Sequence, residues 1–185
     1  LRTFGGEAHE IWNVVDPANP VLITRITGIK DTHKSWWECD TGIAYLVSGP
    51  ADWRTRRMTQ VYDLSNPAQP KKIRDFGLPK QQPGSTGPVP TELHGPISTG
   101  PEGNRVFFGY GTNKDGAAVI LDKKKMLAGA ETSADALKQL EVGRRTLPSF
   151  LGAHTAFPLY GLKPARFSKD CVEQARNFMV VVNEN

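Results

Sequence analysis

Short apolar runs broken by glycine, proline and asparagine set the rhythm of this chain. Thr41–Val47, Met58–Asp63, Lys71–Phe76 and Arg105–Tyr110 are each six or seven residues long, and turn-forming residues bound them. That pattern marks β-strands with one or both faces buried. Fourteen prolines and 18 glycines in 185 residues fit many tight turns and few helices. One stretch has helical spacing. In "TSADALKQLE" (132–141), Thr132 or Ser133 can cap the start, and Ala134, Leu137 and Leu140 fall on one face. The chain is predicted to be all-β, with one short helix in an insert.

The runs also repeat. Residues 11–20, "IWNVVDPANP", and 60–70, "QVYDLSNPAQP", each carry an apolar strand into an Asp, then an Asn-Pro turn, then a second strand. "AAVILDKKKML" (117–127) keeps the strand and Asp122 but has lysines where the turn should be. The segments between these copies match as well. Residues 31–49 align with 91–111: each opens on a His, turns at Gly, Asp or Asn, and ends a second strand in Gly. "GAHTAFPLYG" (152–161) begins the same pattern again, and "NFMVVVNEN" (177–185) supplies its second strand. The histidines stand at 33, 94 and 154, a step of 61 residues and then one of 60.

A unit of this length with four strands in a meander is a propeller blade. The expected architecture is a single β-propeller segment of four-stranded antiparallel blades. It has a partial blade at 1–30, blades at 31–80 and 91–145, and a partial blade at 150–185. About three blades is fewer than the four to eight that close a ring. The segment is therefore expected to belong to a larger propeller or to self-associate.

At "VVDPANPVLI" and "VYDLSNPAQPKKI" the sequence resembles the LVIVD-repeat family of bacterial and archaeal surface or secreted proteins. Asp16, Asn19 and Pro20 match the motif in the first copy, and Asp63, Asn66, Pro67 and Pro70 in the second. The copy at Asp122 departs from it. The resemblance implies a propeller, usually seven-bladed, in an exported protein that is periplasmic, extracellular or at the cell surface. It assigns no catalytic residues. On their own chemistry Asp16 and Asp63 are turn-formers, because a carboxylate at a strand end accepts backbone N–H groups from the turn while proline presets φ.

In a propeller the first strand of each blade lines the central channel, which would put His33, His94 and His154 at equivalent places on successive blades. Two roles stay open. Duplicated structural or channel-lining histidines would show this spacing, and so would imidazoles converging on copper, iron or zinc. Asp31, Glu38 and Glu92 lie near them in sequence as carboxylates that could orient the rings. Cys39 falls on the His33 face by period-two counting, as a buried thiol or as a further soft ligand. Trp36 and Trp37 alternate and are expected to pack. Arg54, Arg56 and Arg57, with Trp53, sit in a loop at one face, open to solvent or to an anion or partner. His9 falls on a different strand from the other three.

Composition narrows the function classes. The net charge of +4 is spread along the chain, with Lys123, Lys124 and Lys125 as its one unbroken run, so no nucleic-acid partner is expected. No apolar run approaches the 18 or so residues of a membrane helix. "GYGTNKDG" (109–116) opens no helix and does not read as a phosphate loop. Cys39 and Cys171 show no zinc or CxxC spacing. The expected function is binding, with a protein or small-molecule ligand at a propeller face or in the channel. The alternative is a metal-dependent oxidoreductase built on His33, His94 and His154.

Overall fold

The computed structural model describes residues 1–100, 102–112, 114–163 and 174–183; Cys171 lies outside them. The chain is all-β, as expected. β1 (Arg2–Phe4), β2 (Ala8–Asn13) and β3 (Val21–Ile26) make a first sheet, and β4 (Trp36–Trp37), β5 (Ile43–Ser48), β6 (Met58–Asp63) and β7 (Lys71–Phe76) a second. β8 (Leu93–Ser98), β9 (Arg105–Tyr110), β10 (Ala117–Asp122) and β11 (Glu141–Thr146) form the third; β12 (Thr155–Leu162) and β13 (Arg176–Val182) pair as the fourth. Every pairing is antiparallel and joins strands consecutive in sequence.

The period of two explains how these sheets stack. On β5, Ala44 and Leu46 join Ile11 and Ile26 of the first sheet, while Tyr45 and Val47 join Phe108 and Tyr110 of the third. The third sheet repeats the division. Val106, Phe108 and Tyr110 of β9, with Val119 and Leu121 of β10, belong to the core shared with the second sheet; Phe107 and Ala118 belong to a core shared with Ala156 of β12. Successive residues of one strand thus serve opposite interfaces, and the two middle sheets are buried on both faces. Full burial of one such large side chain contributes about 1.5–3 kcal/mol.

The repeated Asp performs the turn chemistry read from sequence. Asp16 Oδ1 accepts the Ala18 N–H at 3.0 Å, and Asp63 Oδ1 accepts the Ser65 N–H at 2.8 Å. The departing copy uses the same group differently. Asp122 Oδ1 accepts the Lys125 N–H at 3.0 Å and so caps a helix, α1 (Lys123–Ala128). Without the Asn-Pro pair, "KKKMLA" is a run of good helix formers directly after a preferred cap. The expected helix is present as α2 (Ala134–Gln139), with Ser133 Oγ accepting the Ala136 N–H.

Two expectations are corrected. The first strand of the second sheet is only Trp36–Trp37, because residues 38–42 turn: the Thr41 and Gly42 N–H groups both donate to the Glu38 carbonyl. Cys39 lies in that turn and is exposed, so the period-two count that placed a buried thiol beside His33 ends before reaching it. Trp36 and Trp37 do pack, against opposite cores.

Candidate functional site: the histidine cluster

Each of the three repeated histidines is held by its own sheet. The His33 N–H donates to the Val47 carbonyl at 3.1 Å, and Val47 returns its N–H to Ser35 Oγ, so β5 grips the segment before β4 from both sides. His94 sits in β8 where the pairing with β9 slips between Leu93 and Gly95. Such a bulge re-aims one side chain without ending the strand. The His154 N–H donates to the Val182 carbonyl of β13 at 2.9 Å, just ahead of β12. β8 in turn packs against β4, β5 and β12.

These three anchors bring the rings together. His33 Nε2 lies 3.1 Å from His94 Nε2, with the rings edge-on at 77° and their centroids 4.6 Å apart. The His94 and His154 rings lie 3.8 Å apart, tilted by 38°. His154 Nδ1 is 2.8 Å from Thr155 Oγ1, which accepts from Lys34 Nζ at 2.5 Å. The contacts therefore form a circuit from His33 through His94, His154 and Thr155 back to Lys34, the residue after His33.

Two glycines make these approaches feasible. The Lys34 stem crosses Gly95, where an added Cβ would come within 2.7 Å of Lys34 Cδ. A Cβ on Gly109 would lie 2.4 Å from the Ala153 carbonyl, so β9 touches the segment carrying His154 at backbone distance. The role of Lys34 and Thr155 was not foreseen from sequence. A Gly one residue after the repeated His of the next unit was the available signal.

Burial and charge both act on the cluster. His94 is 4% exposed, and burial first, then the neighbouring His154, His33, Lys34 and Arg57, lower its pKa to about 4. His9 is fully buried on β2; burial takes its pKa to about 4 against a smaller opposing effect of the Val47 carbonyl. That carbonyl is the one that receives the His33 N–H, so His9 lies beneath the anchor of the cluster. Two cavities adjoin the region. One of about 240 Å³ is lined by Leu1, Arg2, Thr3, His33, Lys34 and Ser35. The other, of about 390 Å³, is lined by Arg56, Thr91, Glu92, Thr112 and Lys114. A cavity of about 640 Å³ lies along the loop at 27–31 and includes Asp31 but no histidine.

The carboxylates named from sequence are occupied elsewhere in part. Glu92 lies close enough to His33 to feel its charge, but takes both hydrogen bonds of the Arg56 guanidinium, at 2.8 and 2.5 Å. Glu38 bonds Thr41, Tyr45, Ser98 and Lys123. Asp31 stands near Arg56. Arg54 donates to the Lys80 and Gly87 carbonyls and so ties down the 80–87 loop. Among the described residues no group of three or more His, Cys, Asp or Glu side chains is arranged to hold a metal ion.

In comparisons with known proteins, no protein-family model and no curated protein matches this chain.

Proposed function

We propose that this chain is a segment of a β-propeller of the LVIVD-repeat type, from an exported protein. Its function is to bind a protein or small molecule where the three histidines stand. One observation carries the reading: His33, His94 and His154, each about sixty residues from the next, form one cluster with a 3.1 Å Nε2–Nε2 approach and a 3.8 Å ring contact. Four sheets in series, two of them four-stranded meanders, support the propeller part of the reading. So does the outer face of β12 and β13. Ala156, Met179 and Val181 pack inward, while Phe157, Phe178, Val180 and Val182 are 39–47% exposed on the opposite face. A blade presents such a face to the next blade or to a second copy. Sedimentation of the 185-residue chain tests this: self-association is expected, and a compact monomer at all concentrations contradicts it.

A second reading, a metal-dependent oxidoreductase using copper, iron or zinc, is favoured by the His33–His94 spacing. Two imidazole nitrogens that each lie about 2.0–2.1 Å from one ion stand roughly 3 Å apart. His33, His94 and His154 would be the ligands. Metal analysis of the purified protein separates the readings. Stoichiometric metal lost in His94→Ala favours the second; metal-free protein of unchanged stability excludes it.

A further inference from the structure

We infer that the histidine cluster is a site for a small oxyanion, a carboxylate or a phosphate-type group, held by Lys34 and the imidazoles. The inference rests on the reading that a ligand binds at the histidine end, and names its chemistry. The argument begins with proton placement. A lysine ammonium has donors and no acceptor. Its contact with Thr155 Oγ1 makes that oxygen an acceptor; the hydroxyl keeps one proton and a second lone pair, so it can donate to or accept from His154 Nδ1, 2.8 Å away. A neutral imidazole that accepts at Nδ1 carries its proton at Nε2. In the tautomer that accepts the Thr155 hydroxyl, His154 offers Nε2 as an N–H donor. Between His33 and His94, a 3.1 Å Nε2–Nε2 approach needs one proton, so one of the two donates to the other.

The surroundings have the same polarity. Lys34 and Arg57 are cations close enough for their charge to reach His94, behind the larger effects of its burial and of His154 and His33. The cavity of about 240 Å³ beside His33 is lined by Leu1, Arg2, Thr3, Lys34 and Ser35, with no acidic residue among them. Arg2 also reaches Glu10, at 3.6 Å. Glu92, close enough to His33 for their charges to interact, is matched by the two-pronged Arg56 contact. Donors and fixed positive charge suit an oxyanion, which accepts several such hydrogen bonds at once. The same charges oppose a bare divalent cation. The Lys34 stem lies across Gly95 to reach the third histidine's sheet, which holds the ammonium in place and keeps it from swinging in solvent.

Calorimetry with inorganic phosphate, acetate and zinc chloride as three separate probes, at low salt in an amine buffer, tests the inference. It is paired with imidazole ¹H–¹⁵N spectra of His33, His94 and His154. The expected result is that phosphate or acetate binds and shifts those imidazole signals, that Lys34→Gln weakens binding at least tenfold, and that Lys34→Arg largely restores it. Whichever anion binds more tightly identifies the group. Circular dichroism confirms that Lys34→Gln is folded; if it is not, Arg2→Gln is measured instead, with a severalfold loss expected. Anion binding unaffected by these changes overturns the inference, as does the absence of binding by either anion. If zinc alone moves the three imidazoles, the histidine-end reading survives and the oxyanion does not. If no probe moves them, both fail.

Discussion

Glu38 and Lys123 form an ion pair across the interface between the second and third sheets, with side chains only 2% and 7% exposed. Lys123 Nζ lies 3.3 Å from Glu38 Oε1 and also donates to the Gly100 carbonyl. Glu38 accepts further from Thr41 at 2.8 Å, from Tyr45 at 3.2 Å, and from Ser98. Among the described residues the carboxylate thus has four donors, while the ammonium has one carbonyl besides Glu38. This asymmetry fixes the order of the single substitutions. Glu38→Gln leaves a buried ammonium uncompensated and should cost about 3–5 kcal/mol, a large part of the 5–15 kcal/mol typical of a domain. Lys123→Met leaves the carboxylate with its three hydroxyl donors and should cost about 1–3 kcal/mol. The double variant should be more stable than the sum of the singles implies, by about 1–3 kcal/mol. Urea unfolding followed by tryptophan fluorescence at pH 7 measures all four proteins. Additivity within about 0.5 kcal/mol would refute the pairing. Burial acts to raise the Glu38 pKa, but hydrogen bonds from Ser98 and Thr41 and the Lys123 charge outweigh it and hold it below 4.5. The contribution of the pair is therefore present above pH 4.5 and lost as pH falls through the folded value.

Acid should also destabilise the protein earlier, through histidine. His9 and His94 have folded pKa values of about 4 against 6.5 unfolded. Their stabilising effect is full above pH 6.5 and declines from there to about pH 4, at about 1.4 kcal/mol per pH unit for each. Unfolding midpoints across that range should show this slope, and His9→Gln should remove about half of it; a flat profile would count against both burials. Gly109→Ala should cost about 1–3 kcal/mol, because its Cβ meets the Ala153 backbone, whereas Gly95→Ala meets only the Lys34 side chain and should spare the fold. The Lys34 stem, held across Gly95 by the Thr155 contact, is what that substitution displaces; thermal melts of the two variants read the difference in stability, and equal losses would contradict it. Asp122→Ala should cost about 1 kcal/mol by uncapping α1, with loss of helical signal in circular dichroism.

Local pattern made much of the fold legible. The strands at 43–48, 58–63, 71–76, 105–110 and 117–122 follow from apolar runs closed by turn residues, and Asp16 and Asp63 do what a strand-end carboxylate does. Period two reached its limit at Glu38, where the backbone leaves the strand and takes Cys39 out to solvent. α1 escaped notice because its residues fall where the repeat places a turn, although Asp122 before a lysine run was a usable cap signal. The repeat located the three histidines, but not what surrounds them. Lys34 reaches Thr155 from 121 positions away across a glycine of a third segment, and no local pattern encodes that encounter. Glu38 shares a decapeptide with His33 yet pairs with Lys123, 85 positions on.

The central claim is that three histidines from successive sheets meet, with His33 and His94 joined nitrogen to nitrogen. Nitrogen-15 NMR of the imidazole side chains in anion-free buffer tests it directly. The account predicts a scalar coupling between His33 Nε2 and His94 Nε2 at pH 7 and a His94 midpoint near 4. Absence of that coupling, with all three rings titrating independently near 6.5, would contradict it.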